Sequence, residues 1–321
     1  MHTSYTLGLL AIFKNEAMNM REFIEHYTWQ GIQHFFLIDN GSSDDSSTRI
    51  LQEYIDRGTV TLYSREQRHA QTAHYNDIYL NHNVRRLCKW LLVCDLDEFV
   101  FSANPDYITL LDYVSRSPGC QLESVSDISM SMRMFGSRDA YEHPNSIRDA
   151  FLYRERRLHP TGKAIVRCSR THHLGIHFHD HEPGSTSLDG GHEYIRLNHY
   201  IIQSREYFDR IKRTRGDVHN DEEDSARDDA YFENHDIREV YDPLLKDLCH
   251  LTRQNVPIHV IQEYMRFSNA NDDFILDGTK DDSIPVVVVI ISVIISLLLI
   301  STLALAAISA KRAVNRRKLR R

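Results

Sequence analysis

The chain has 321 residues, 41% of them hydrophobic, with 38 basic and 45 acidic side chains and a formal net charge of −7. That length can bury one sizeable core, or two small ones, and the acidic balance gives no reason to expect a nucleic-acid partner. Five scattered cysteines, Cys88, Cys94, Cys120, Cys168 and Cys249, show no Cys-x-x-Cys spacing, which argues against a disulfide framework or a thiolate zinc site and favours a reducing compartment.

In chain order, Leu7–Phe13 is a continuous apolar run, the pattern of a strand buried on both faces. Met20, Phe23, Ile24 and Tyr27 recur at helical spacing. His34–Ile38 predicts a second strand, and Ile50, Leu51, Tyr54 and Ile55 mark a second helix. Val60–Tyr63 predicts a third strand, Ala70–Arg86 a helix, and Trp90–Cys94 a fourth strand. Strands alternating with helices imply a parallel sheet with crossover connections, whose ligands bind beyond the carboxyl ends of the strands.

Three of these strands end in polar clusters: Lys14-Asn15-Glu16, Asp39-Asn40-Gly41-Ser42-Ser43-Asp44 and Asp95-Leu96-Asp97-Glu98. Read as extended chain, Asp95 and Asp97 point the same way and present two carboxylates to one cation. Such hard oxygen ligands suit Mn²⁺ or Mg²⁺ shared with a substrate diphosphate. Asp39 can accept hydrogen bonds from a ribose or a base, and Gly41 lets the chain turn closely past a ligand.

Near the C-terminus, Ile284–Ala310 is uncharged and dominated by Val, Ile and Leu. At about 1.5 Å per residue it is long enough to span a bilayer core of about 30 Å. Asp281 and Asp282 precede it, and seven Lys and Arg residues follow between Lys311 and Arg321. The basic tail prefers the cytoplasm, which would put the main domain on the other side. No convincing N-terminal signal is evident, however, and the sequon Asn40-Gly41-Ser42 falls at a candidate donor site. The reading adopted is a cytoplasm-facing domain with a single C-terminal anchor in the lipid bilayer. The expected organisation is a catalytic domain over residues 1–250, a stalk over 251–283, a transmembrane helix over 284–310 and a basic tail over 311–321.

Lys14-Asn15-Glu16-Ala17, Glu25-His26-Tyr27, Gly31-Ile32, Ile38–Asp44 and Asp95-Leu96-Asp97-Glu98-Phe99, in that order, resemble the family 2-like and family 92 glycosyltransferases. The likeness is close over roughly the first hundred residues. It continues weakly through Gly162–Val166, Gly175-Ile176-His177 and Asn198-His199-Tyr200. It implies an α/β, Rossmann-like GT-A fold with a mixed, mainly parallel sheet between helices. It also implies transfer of a sugar from a nucleotide sugar, a UDP-sugar first among them, to a glycan or glycoconjugate hydroxyl, with inversion. By the same resemblance Asp97 would bind metal directly with Asp95 beside it, and His177 would be a third metal ligand. Asn15, Glu16, Asp39, Gln71, Tyr75, Asn76 and Asp77 would line the donor pocket, and Lys163 would aim its ammonium at the donor diphosphate. Inversion needs a base for the acceptor hydroxyl; by position Asp180, Glu182 and Glu193 are the candidates.

Two rival readings remain. His177-Phe178-His179-Asp180-His181 approaches the His-x-His-x-Asp-His signature of zinc hydrolases but is one residue short, so the ligand register fails. A membrane-tethered, non-catalytic glycan-binding protein on a transferase fold is the other; decay of that kind commonly removes the metal carboxylates, which are present here.

Overall fold

The structure, a computed structural model, describes residues 4–215 and 227–276. Thirteen strands are present among them. The first five are β1 (Tyr5–Phe13), β2 (His34–Asp39), β3 (Val60–Ser64), β4 (Cys88–Val93) and β5 (Glu98–Ser102). After them come β6 (Val125–Gly136), β7 (Tyr153–Arg154), β8 (His159–Arg167), β9 (Thr171–His173) and β10 (Asp180–His181). The last three are β11 (Thr186–Asp189), β12 (Ile195–His199) and β13 (Val240–Tyr241).

The main sheet runs β13-β7-β6-β8-β4-β1-β2-β3. The pairs β4–β1, β1–β2 and β2–β3 are parallel, whereas β8 is antiparallel to both β4 and β6. This is a mixed sheet flanked by helices, the GT-A-like architecture expected, and the parallel half is the part the alternating pattern predicted. The core strand β1 buries Leu7, Leu9, Leu10 and Ala11 completely, as a strand covered on both faces must.

Helix α1 (Met20–Trp29) buries Met20, Phe23, Ile24 and Tyr27 on one face. Tyr27 also positions the site strand: its hydroxyl donates to the Glu98 carbonyl at 2.9 Å and accepts from the Val100 amide at 3.0 Å. Helix α2 spans Asp45–Asp56.

The helix expected over Ala70–Arg86 is broken. Helix α3 (Gln71–Asn76) passes into a π-helical turn at Asp77–Asn81, and α4 (Val84–Leu87) restarts after Asn83, whose φ is 63°. Asparagine tolerates the left-handed region and ends helices there.

One expectation about the C-terminal part is corrected. A compact unit reaches Asp272. Helices Leu244–Arg253 and Ile258–Leu276 occupy most of the segment read as a stalk. The second is fixed by polar burial: Asp272 lies among Arg133, Arg154 and Arg196, and Asn269 donates to the Ala103 carbonyl at 2.8 Å. The expected transmembrane helix is the correction, together with the bilayer partner and the cytoplasm-facing orientation that depended on it. Among the described residues no helix is long and apolar enough to cross a membrane, and Ile284–Ala310 lies outside the described residues.

Candidate active site

Strand register brings the polar clusters together. Phe13 pairs with Asp39, and Leu10 pairs with Val93, so the residues that follow β1, β2 and β4 emerge at one sheet edge. Beyond that edge lies a cleft of about 360 Å³. It is lined by Lys14, Glu16, Asn40, Gln71, Asp95, Asp97, Glu98 and His177, and by His199, Lys212 and Arg215 from the second half of the chain. Arg68, His69, Arg227 and Tyr231 border it, and Met132, Ile176 and Ile201 add apolar wall.

Asp95-Leu96-Asp97 is not extended. The Glu98 amide donates to the Asp95 carbonyl at 3.1 Å, which makes the tripeptide a tight turn between β4 and β5. The two carboxylates therefore reach different cations, although both line the cleft.

Asp95 accepts from the Lys163 ammonium at 2.9 Å and from Gln71 Nε2 at 3.2 Å, with the Tyr75 hydroxyl at 3.5 Å. Burial pushes the Asp95 carboxyl up, but Lys163 outweighs it and the group is held below its ordinary range. Asp97, only 4% exposed, takes the Lys212 ammonium on Oδ2, with His199 Nε2 3.5 Å away. Burial again opposes ionisation; Lys212 and His199 prevail, and Asp97 stays well below the usual carboxylate range.

The Lys163 side chain has no exposed surface and lies behind the cleft wall, bridging Asp95, Glu98 (3.6 Å) and the Ile176 carbonyl (3.3 Å). The neighbouring glycine allows this: a Cβ on Gly162 would fall 1.5 Å from the Met130 carbonyl oxygen, so only glycine lets β8 lie this close to β6.

The other expected donor residues divide. Glu16 and Gln71 line the cleft with Asp95, Asp97 and His177. Glu16 is held by the Tyr207 hydroxyl at 2.8 Å, by Asn19 Nδ2 at 2.8 Å and by Arg215 at 2.6 Å. Asn15 and Asp39 build the loop after β2 instead. Asn15 Oδ1 accepts from the Ser43 and Asp44 amides and Asp39 Oδ1 from the Ser42 amide, while Gly41, at φ 74°, supplies the turn. Tyr75 acts through Asp95. Asn76 exchanges two hydrogen bonds with the Leu174 backbone, and Asp77 pairs with Arg65 at 2.6 Å; neither lines the cleft.

The three carboxylates proposed as bases also stand elsewhere. Asp180 lies 3.5 Å from His173 and Glu182 bonds Arg170 at 2.8 Å, both largely exposed. Glu193 closes a turn onto Asp189 through its amide. None of the three lines the cleft.

The histidine cluster is likewise divided. His181 bonds Asp127 at 2.7 Å, His179 Nδ1 accepts from the Gly175 amide at 3.3 Å, and only His177 faces the cleft. The Gly162 carbonyl, 3.0 Å from His177 Nδ1, can only accept, so Nδ1 carries the proton and Nε2 presents a lone pair. Burial, then Lys163, pushes His177 down and favours that neutral form.

These donors suit a hard divalent ion: two carboxylates and the imidazoles of His177 and His199 border one cleft, and a protein-borne cation sits on Asp97. Among the described residues no three His, Cys, Asp or Glu side chains stand close enough to hold a metal by themselves.

The sequence reading missed Lys212, Arg215 and His199 as cleft residues, and named Glu98 only as part of the polar cluster after the fourth strand. His199 carried a signal, because it lies in the quoted Asn198-His199-Tyr200 stretch. Lys212 and Arg215 carried none; they reach the cleft only through the turn at Lys212–Thr214.

A mixed sheet with an acidic turn in a cleft beyond its parallel strands defines a GT-A-like transferase fold. Residues 10–248 match the family model of glycosyltransferase family 92, and the chain belongs to that family. A family 92 protein of Ricinus communis is 31% identical over 97 residues, 30% of this chain and 16% of that one. One of Oryza sativa subsp. japonica is 26% identical over 215 residues, 64% of this chain and 35% of that one. A galactan β-1,4-galactosyltransferase of Arabidopsis thaliana is 24% identical over 189 residues, 54% of this chain and 35% of that one. The chain thus spans about a third or less of the length of these curated relatives. Among solved structures, a mannosyltransferase from Pyrobaculum calidifontis in complex with GDP-Man and Mn²⁺ overlaps with a TM-score of 0.40 at 12% identity, over 94% of this chain and 80% of that one. TarS of S. aureus in complex with UDP gives 0.34 at 12% identity, over 51% and 47%.

Proposed function

We propose that this chain carries the catalytic domain of a metal-dependent glycosyltransferase that moves a sugar from a nucleotide sugar to a glycan or glycoconjugate hydroxyl. The observation that carries this reading is the convergence of Asp95, Asp97 and His177 with the loops after β1 and β2 on one cleft. Asp95 and Asp97 would hold Mn²⁺ or Mg²⁺ together with oxygens of the donor, and His177 lines the same cleft. A bound ion of this kind neutralises charge that grows on a departing diphosphate.

The chain's own groups prepare that site. Lys163, Gln71 and Tyr75 fix the Asp95 carboxylate from behind and from the side. Lys14, Arg68 and Arg227 supply positive charge at the cleft border. Met132, Ile176 and Ile201 exclude water from one wall, which strengthens the electrostatics inside.

The deciding experiment is a screen of nucleotide sugars for Mn²⁺-dependent hydrolysis, transfer and thermal stabilisation. The likeness to a galactan β-1,4-galactosyltransferase is the reason to test a UDP-linked galactosyl donor first. Stabilisation by one donor, lost on chelation of the metal, is the expected result. Silence from every donor would overturn the catalytic reading and leave a non-catalytic glycan-binding protein.

A further inference from the structure

Three cations serve the acidic residues of the cleft, and they are held differently. Lys163, behind the wall, has two acceptors, an ion pair with Glu98 and no exposed side-chain surface. Arg215 is fixed by Glu16 and by the Lys14 carbonyl. Lys212 has one hydrogen-bond partner among the described residues, the Asp97 carboxylate, and its side chain keeps 11% exposure. It projects from the three-residue turn Lys212–Thr214 on a flexible four-carbon stem.

Asp97 needs a positive charge beside it, because an ionised carboxylate this buried is costly without one. A divalent cation satisfies the same need, but it cannot share the oxygen that Lys212 occupies: two cations at one carboxylate oxygen repel strongly in a low-dielectric site. Arrival of a diphosphate brings new anionic oxygens into the cleft, where a released ammonium has a partner at once.

We propose that Lys212 is an exchangeable counter-cation. It neutralises Asp97 while the donor site is empty, gives way when a divalent ion engages that carboxylate, and moves to the donor diphosphate. Metal binding without nucleotide is then held weak by competition from the protein's own ammonium, and metal and diphosphate binding support each other. This inference rests on reading the cleft as the donor site.

Mn²⁺ binding measured by electron paramagnetic resonance with MnCl₂ alone, on the full chain and its Lys212→Met variant, tests the first half. Removing the competitor should tighten Mn²⁺ binding about tenfold or more; equal or weaker binding overturns the exchange. Calorimetry with UDP and with GDP at saturating Mn²⁺ tests the second half. The variant should bind the nucleoside diphosphate about tenfold more weakly; unchanged affinity overturns transfer to the diphosphate.

If Lys212→Met is too unstable to handle, Lys212→Gln serves in thermal melts with and without MnCl₂. Mn²⁺ should raise its Tm more than that of the parent chain, and an equal or smaller rise counts against the proposal. The metal comparison contains no nucleotide. Failure of the donor reading would therefore show separately, as a parent chain that binds neither UDP nor GDP.

Discussion

The Lys163 ammonium donates to the Asp95 carboxylate at 2.9 Å from a side chain with no exposed surface. The pair joins β8 to the acidic turn after β4, so the antiparallel half of the sheet fixes a carboxylate that the parallel half presents. Burial alone would lower the lysine, but Asp95 and Glu98 raise it well above its ordinary value. Lys163→Met would leave the buried Glu98 carboxyl without its cation and untether Asp95, whose side chain is 34% exposed. Removing a buried partner of this kind costs about 1–3 kcal/mol, and chemical denaturation should show a loss of that order.

Asp97 gives a cleaner test of chemistry than of stability. Asp97→Asn keeps the shape of the side chain and removes its charge. Transfer should fall at least ~100-fold, while Lys212, on a flexible stem at the cleft, can turn toward solvent and limit the cost to folding. Steady-state kinetics beside a thermal melt separates the two. A fully active variant would remove Asp97 from the metal assignment.

Helix Ile258–Leu276 is held by charge. Asp272 accepts from Arg133 at 2.8 Å and from Arg154, and it lies 3.2 Å from Arg196. Asp272→Asn would leave three buried guanidinium groups with Asp242 as their remaining carboxylate, at a cost of about 3–5 kcal/mol. A chain ending at Pro257 loses the whole helix and should fail to give a cooperative melt. A cooperative melt from that chain would restore the boundary near residue 250.

The pH dependence of folding has a defined sign at His26. Burial first, then Arg148, pushes this imidazole well below its ordinary value, and its Nε2 bonds the Val100 carbonyl at 2.8 Å. The folded state therefore keeps His26 neutral, while the unfolded chain takes up a proton below about pH 6.5. With more protons on the unfolded state, this group's contribution falls as pH drops from about 6.5 toward the depressed folded value. Thermal melts between pH 7.5 and 5 should show a shallower decline for His26→Gln than for the parent chain, and parallel curves would refute the assignment.

Local pattern was enough for the first half of this protein. The apolar run Leu7–Phe13, the spacing of Met20, Phe23, Ile24 and Tyr27, and the polar clusters after three strands identified the parallel sheet and the edge beside which the cleft lies. These features are set by neighbours in sequence and by a two- or 3.6-residue period. The same locality explains one break in that half. The helix read over Ala70–Arg86 is interrupted ahead of Asn83, which takes a left-handed φ of 63° and precedes the restart at Val84.

What only the tertiary structure decided is which charges meet. Lys163 turned inward because Gly162 lets β8 approach β6, and Asp95 and Asp97 turned apart because their tripeptide folds into a turn. Asp180 and Glu182 went to local partners and Glu193 also lies outside the cleft lining, while Lys212 and Arg215 entered it from more than a hundred residues away. Residue type and spacing show that a carboxylate needs a cation. Which cation it receives depends on distances across the folded chain, and those are fixed only when the antiparallel half closes over the parallel one.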